Sequence, residues 1–434
     1  MPARFSTTNS LRRYGNRTFS SLKVRNYRLY YIGQIISTSG TFMQSLAQAW
    51  LVLQLTNSGT ALGVVTALQY LPVLFLGPYG GVIADRFSKR NLLYFTQTTF
   101  GVLALILGIL VATGWVQLWM VDVLAFGYGL VNAIDNPTRQ SFVVEMVGEG
   151  EVRNAVTLYS SLVNLSRVLG PTLAGILIAT VALAPCFILN GLSYGAVVIM
   201  LFMMHADELH TPAPVARAKG QLAAGFRYVR STPVLRNVLL MLAIIGTLTF
   251  EFQVSLPLIA QFTFHGNAES YAALTAAMGL GAVLGGLITA GQKKTSIRTL
   301  VIAAFLFGST TLLAAMMPTI ILAILALVLV GVFSIYFTSL GNSILQLESA
   351  PQMRGRVMAF WSIAFLGSTT IGGPIVGWIG EWEPRWGLAV GGLAAIIAAA
   401  LGAIALRRTP TSTGATGTVV VSAEPAAKQK VRVP

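Results

Sequence analysis

Apolar runs of about twenty residues recur along this chain, and that is the length a helix needs to cross a hydrocarbon core about 30 Å thick. Inside such a core every backbone N–H and C=O must find its partner within the segment, so an isolated run of this kind becomes a helix. Twelve runs qualify: 29–55, 61–84, 92–113, 118–134, 155–181, 185–204, 238–262, 271–290, 300–317, 320–345, 357–379 and 388–406. The fold class expected is therefore an all-α membrane protein with twelve transmembrane helices. Composition agrees. The chain is 55% hydrophobic and only 10% charged, against about 25% charged residues in soluble domains, too few to cover a water-exposed surface.

A formal net charge of +15 would suit nucleic acid if it formed one patch. It is instead divided among connections. Of the 29 Lys and Arg residues, all but Arg167 and Arg385 precede or open the first run, or follow an even-numbered run. If the runs alternate direction, these segments share one face, as the positive-inside rule requires. The charge thus reads as orientation in a cell inner membrane with both termini cytoplasmic, and no nucleic-acid partner is expected. The lone Cys186 and three scattered histidines provide no internal disulfide and no metal cluster. No short apolar region with a small-residue cleavage site opens the chain, so no removed signal peptide is expected. No glycine-rich run continues into the Lys-Ser or Lys-Thr of a nucleotide-binding loop. Without a cofactor, energy would come from an ion gradient.

The runs divide into two sets of six. Segment 1–27 is a cytoplasmic lead, 28–204 the first half, 205–237 a polar linker, 238–408 the second half, and 409–434 a tail without helical period, expected to be disordered. Repetition supports the halves. Arg153 precedes Pro171 by 18 residues in the fifth run, and Arg356 precedes Pro374 by 18 in the eleventh, an offset of 203. Gly81 and Gly286, each ahead of a basic loop, are 205 apart. Nearly equal offsets indicate a duplicated six-helix unit, the parallel-repeat plan of some transporters.

The loop after the second run reads GVIADRFSKR, from Gly81 to Arg90. It resembles the major facilitator signature between helices two and three, with Ser88 where the family prefers Gly. Gly81 would permit close backbone approach, Asp85 could satisfy a helix N-terminus, and Arg86, Lys89 and Arg90 would hold the loop at the cytoplasmic face. The resemblance implies a conformational latch between the halves. In the fifth run SRVLGPTLAG, with Gly170, Pro171 and Gly175, resembles the family's motif for exporters that work by antiport. Proline removes a backbone hydrogen bond, and small residues let helices approach closely. The opening from Ser21 and the segment AIDNPTRQ, from Ala133 to Gln140, are similar to the drug and siderophore exporter branch.

Ionisable groups within membrane helices cost about 2.5–3.5 kcal/mol each at mid-depth and usually serve a pathway. Three stand out: Glu251 in the seventh run, Asp122 in the fourth and Arg167 in the fifth. The family lines its cavity with helices one, four, seven and ten, which implies places for Asp122 and Glu251 there. Burial disfavours the charged form of a carboxyl, suiting either residue to proton coupling. Arg167 reads as a counter-ion for Glu251 or as a substrate contact. Gln34, Gln44, Gln48, Asn132 and Gln346 are further substrate-cavity candidates, each also able to tie helices together. Tyr70, Phe250, Phe252, Tyr336 and Phe337 read as lipid-facing or packing aromatics ahead of cavity lining. Trp115, Trp119, Trp382 and Trp386 fall at the expected outer ends, where an interfacial belt accounts for them. The function expected is export of a small amphipathic molecule in exchange for protons, by a monomer. A nutrient importer is the nearest rival. A membrane-embedded enzyme lacks the clustered catalytic groups it would need, and a scaffold has no use for carboxyls in a cavity.

Overall fold

The computed structural model describes residues 19–210, 221–290 and 295–408. The expected tail at 409–434, the first part of the cytoplasmic lead and the stretch 211–220 of the expected linker lie outside the described residues. Among the described residues every element is helical.

Among the described residues ten helical stretches are long and apolar enough to cross a membrane. One of them, Leu118–Thr180, has 63 residues. At 1.5 Å per residue it would run to about 95 Å if straight, three times the hydrocarbon thickness. Gly148, at φ 68° and ψ 171°, interrupts the helical geometry and divides the stretch into two passes. A further helix, Arg25–Thr56, falls short of that apolarity but packs against both Leu118–Thr180 and Ala184–Phe202. Its buried residues include Gln34, Ser37 and Ser39, so its polarity faces protein. The spans are thus Arg25–Thr56 (span 1), Gly59–Arg86 (span 2), Lys89–Thr113 (span 3), the two arms of Leu118–Thr180 (spans 4 and 5) and Ala184–Phe202 (span 6). The second half holds Pro233–Thr263 (span 7), Ala268–Ala290 (span 8), Ile297–Met316 (span 9), Ile320–Glu348 (span 10), Arg354–Trp382 (span 11) and Pro384–Arg408 (span 12). The expected twelve-helix count holds.

Some boundaries differ from those expected. The fourth helix continues past 134 because Phe142, Val143, Met146 and Val147 bury against Tyr27, Tyr30 and Leu93, giving the added turns an apolar seat. Part of the expected linker is the helix Gln221–Ser231, whose Phe226 ring lies 6.3 Å from that of Phe360 in span 11. Spans 7 and 11 both contain a π-helical turn, at Ile259–Thr263 and Ile363–Gly367.

Within the first half, span 1 packs on spans 5 and 6, span 3 on span 6, and span 2 on the long helix; within the second, span 8 packs on span 10 and span 9 on span 12. The halves meet chiefly where span 2 packs on span 11 and span 8 on the long helix that holds span 5. One end of the bundle carries the basic connections and is called here the basic end; the opposite is the far end. Trp115, Trp119, Trp382 and Trp386 are all exposed at the far end.

A cavity between the halves

A cavity of about 480 Å³ lies between the halves, within the size range of small-molecule sites. Spans 1, 2 and 5 line one side, and spans 7, 8, 10 and 11 the other. Glu251 enters it because span 7 is broken there. The helix stops at Leu248, the Thr249 hydroxyl donates to the Gly391 carbonyl of span 12 at 2.7 Å, and Glu251 sits at φ −81°, ψ 38° before the helix resumes at Phe252. Phe250, beside the break, is held among Phe252, Phe307 and Phe365, with ring centroids 4.8–6.2 Å apart.

Glu251 is 2% exposed. Both its carboxyl oxygens are shut off from solvent without a hydrogen bond of standard geometry, the Thr369 hydroxyl being a donor within reach. The oxygens face the glycine pair of span 11: a Cβ on Gly372 would lie 2.9 Å from Oε1, and one on Gly373 would lie 3.6 Å from Oε2. Arg167 lines the same cavity with its guanidinium 5.8 Å from the Phe42 ring centroid. Among the described residues no carboxylate comes within ion-pair distance of it. The counter-ion reading of Arg167 is therefore corrected: it shares the cavity with Glu251 and does not pair with it. Tyr70 lies within electrostatic reach of both.

The other expected cavity residues are placed elsewhere. Span 4 contributes no lining residue, so Asp122 and Asn132 stand outside the wall; Asp122 is half-buried, with an Oδ1 that meets no hydrogen-bond donor. Gln34 turns into the first half, where its Oε1 accepts from Arg139 at 3.3 Å. Gln44 accepts from the Asn190 amide of span 6 at 2.7 Å. Gln48 is half-buried away from the wall, and Gln346 is exposed, donating to Asn342, which does line it. A polar side chain in an apolar helix is drawn to whichever neighbour offers a partner, and for Gln34 and Gln44 that neighbour is inside their own half.

Several lining residues carried no earlier assignment: Trp361, Phe365 and Thr369 of span 11, and Ser334, Thr338, Ser339 and Asn342 of span 10. A signal was present for span 10. Ser334, Thr338 and Asn342 recur every four residues, one face of a helix. Tyr70, Phe250 and Phe252 do line the cavity, whereas Phe337 is buried in the core.

Lys89 and Arg90 of the signature loop bind within the first half. Lys89 pairs with Glu145, and Arg90 donates to the carbonyls of Leu201, Phe202 and Met204 at the end of span 6. Asp85 and Arg86 are exposed at the basic end. Gly80, beside Gly81, meets the Ala133 carbonyl. In span 5, Gly170 lies against Phe42 and Ser39 of span 1, Pro171 lines the cavity, and Gly175 faces Ala272 of span 8. An ion pair on a buried carboxylate went unanticipated inside AIDNPTRQ: the half-buried Arg139 meets Asp135 at 2.6 Å, while Thr96 and Gln97 donate to the same carboxylate at 2.6 and 2.8 Å.

Several contacts across the halves lie at the far end. Thr60 donates to Glu381, Gln261 donates to Asn57 at 3.0 Å, Trp50 stacks on Tyr271 at 6.4 Å, and Gly63 meets the Gly373 carbonyl.

The fold has counterparts among known proteins. A family model described as transmembrane secretion effector matches residues 16–426. The staphyloferrin A transporter of Staphylococcus aureus is 21% identical over 76% of this chain and 84% of its own. The enterobactin exporter of Citrobacter koseri is 25% identical over 82% and 85%. Among solved structures, a bacterial homologue of the human lysosomal transporter Spinster, inward-facing and unoccupied, superposes with a TM-score of 0.69 at 14% identity, covering 88% of this chain and 97% of that one. A POT family transporter in complex with 5-aminolevulinic acid gives 0.72 at 12% identity over 90% and 97%.

Proposed function

The chain belongs to the transmembrane secretion effectors of the major facilitator family, and from that premise we propose that it exports a small amphipathic molecule in exchange for protons. The observation that carries the proposal is the seat of Glu251. A single carboxyl of the described residues stands in the wall of the between-halves cavity, against Gly372 and against Gly373, the latter of which also meets Gly63 of span 2 at the far end. A charged carboxylate is costly in that donor-poor seat, and a protonated one is tolerated. Proton occupancy and far-end closure are thereby linked.

With the basic end taken as cytoplasmic, in keeping with the positive-inside rule, this arrangement is closed outward and receives cargo from within. Cargo displaces the proton, the halves rock about the cavity, cargo leaves outward, and a proton from outside restores the closed far end. The cargo belongs to the drug or siderophore kind, a reading supported by the names of the relatives. Gly170, Pro171 and Gly175 supply the close packing of span 5 on spans 1 and 8 over which such rocking would run.

Inverted membrane vesicles test this directly. Vesicles carrying the protein should take up a fluorescent amphiphile when acidified inside, and an uncoupler should abolish the uptake. Glu251→Gln should lower it at least tenfold, with Glu251→Asp keeping a measurable part. Proton-driven uptake undiminished in Glu251→Gln would remove the carboxyl from the coupling.

A further inference from the structure

Arg167 is the sole cation among the residues lining the cavity, and no carboxylate of the described residues pairs with it. Elsewhere in the first half Lys89 is engaged by Glu145, Arg139 by Asp135 and Arg90 by backbone carbonyls. A guanidinium inside a membrane protein is retained at a cost unless something answers it, and here the empty side of the answer is the cavity. A second donor stands on the opposite half. The indole N–H of Trp361 is buried without a hydrogen-bond partner, and its ring stacks on Phe365 at 5.4 Å within the lining.

Charge accounting narrows the cargo further. A purely cationic molecule would be repelled by Arg167. A purely anionic one would bind best with Glu251 protonated, so cargo and proton would travel together and could not be exchanged. Exchange requires that the cargo itself replace the proton on Glu251, with a positive group or a strong donor.

We propose that the cargo is a dipolar amphiphile, with an acidic group bound by Arg167 and the Trp361 N–H, an apolar or aromatic body against Phe42, Phe250 and Phe365, and an amine that takes the proton's place on Glu251. This rests on the exchange reading above. Once Glu251 loses its proton, its seat against Gly372 and Gly373 offers too few donors, and the carboxylate turns toward the cavity, where the amine meets it.

Three matched probes test the assignment on the purified full-length protein: 3-(2-naphthyl)alanine, its methyl ester and its N-acetyl derivative, which are zwitterion, cation and anion. Affinities are read from ligand-induced Tm shifts and from the part of tryptophan quenching that Trp361→Phe removes. The zwitterion should bind at least tenfold more tightly than either derivative. Arg167→Gln should erase the zwitterion's advantage over the ester, weakening the zwitterion while the ester, relieved of repulsion, binds no less tightly; Glu251→Gln should bring the zwitterion down to the N-acetyl compound. Arg167→Lys should retain part of the preference, and the unliganded Tm of each variant reports its folding. A parent protein without preference for the zwitterion, or an Arg167→Gln variant that weakens all three probes alike, overturns the proposal. No gradient enters this measurement. A retained preference with no proton-driven efflux defeats the exchange reading alone, and efflux without the preference defeats the cargo assignment alone.

Discussion

Gly63 is where the far-end contact can be perturbed by a single methyl group. A Cβ at this position would lie 2.7 Å from the Gly373 carbonyl carbon and 2.8 Å from the Pro374 Cα, atoms of the span 11 backbone that no rotamer can move aside. Ordinary contact begins near 3.4 Å, and the Gly373 carbonyl oxygen lies nearer still than these two atoms, so spans 2 and 11 must part by at least about 0.7 Å to admit an alanine. Overpacking of this kind costs about 1–3 kcal/mol. The cost applies to the closed far end alone, because separated spans do not feel the methyl. At 1.4 kcal/mol per tenfold, the equilibrium should move toward far-end opening by about 5- to 150-fold. The assay places a cysteine at Gln261, in a background where the buried Cys186 is replaced by alanine, and follows labelling by a membrane-impermeant maleimide. Gly63→Ala should label at least fivefold faster than the parent. Gly77→Ala, on the same helix with no atom within 4 Å of its Cβ, should label at the parent rate. Equal rates for Gly63→Ala and the parent would refute the reasoning.

Three further outcomes follow from buried or cross-half pairs. Asp135→Asn removes the charged partner of the half-buried Arg139 and should cost about 1–3 kcal/mol, seen as a lower Tm in detergent, with Asp135→Asn/Arg139→Gln recovering part of the loss. Lys89→Met strands Glu145, whose side chain is 5% exposed, and should lower the Tm until Glu145→Gln is added. Glu381→Gln weakens the acceptor for Thr60 at the far end by about 1 kcal/mol, so labelling at position 261 should rise about fivefold, and an unchanged rate would assign closure to the glycine contact alone.

The twelve spans were legible in the sequence because lipid imposes a length and an internally satisfied backbone, and both leave marks in composition. The exception, span 1, shows the limit of that rule: Gln34, Ser37 and Ser39 lower its apolarity while facing other helices. Glu251 and Arg167 were legible for a related reason, since a charge in an apolar run needs a use. The identity of the cavity wall was not. Gln34 and Gln44 are as polar as Thr338 and Asn342, and which pair faces the cavity is settled by helix rotation within each half. That rotation is fixed by partners remote in sequence, Arg139 for one and Asn190 for the other. Asp122 failed on topology: spans 2, 5, 8 and 11 contribute to the wall where span 4 does not.

Gly373 joins the two events that an exchanger must not allow to occur independently. On one side it meets Gly63 across the halves; on the other a Cβ there would lie 3.6 Å from the Glu251 Oε2. Deprotonating Glu251 in place would put an uncompensated charge behind the contact, and burial of an unpaired carboxylate is far more costly than burial of the acid. Protonation therefore favours the closed far end, and its loss favours opening. The sign can be checked with the same cysteine at position 261: labelling should be slower at pH 5 than at pH 8 once the intrinsic pH dependence of maleimide reaction is divided out. Glu251→Gln, neutral at every pH, should label at the slow rate throughout and lose the dependence. If the corrected parent rate does not change with pH, or if Glu251→Gln keeps the parent's slope, the carboxyl and the glycine crossing are neighbours without being coupled.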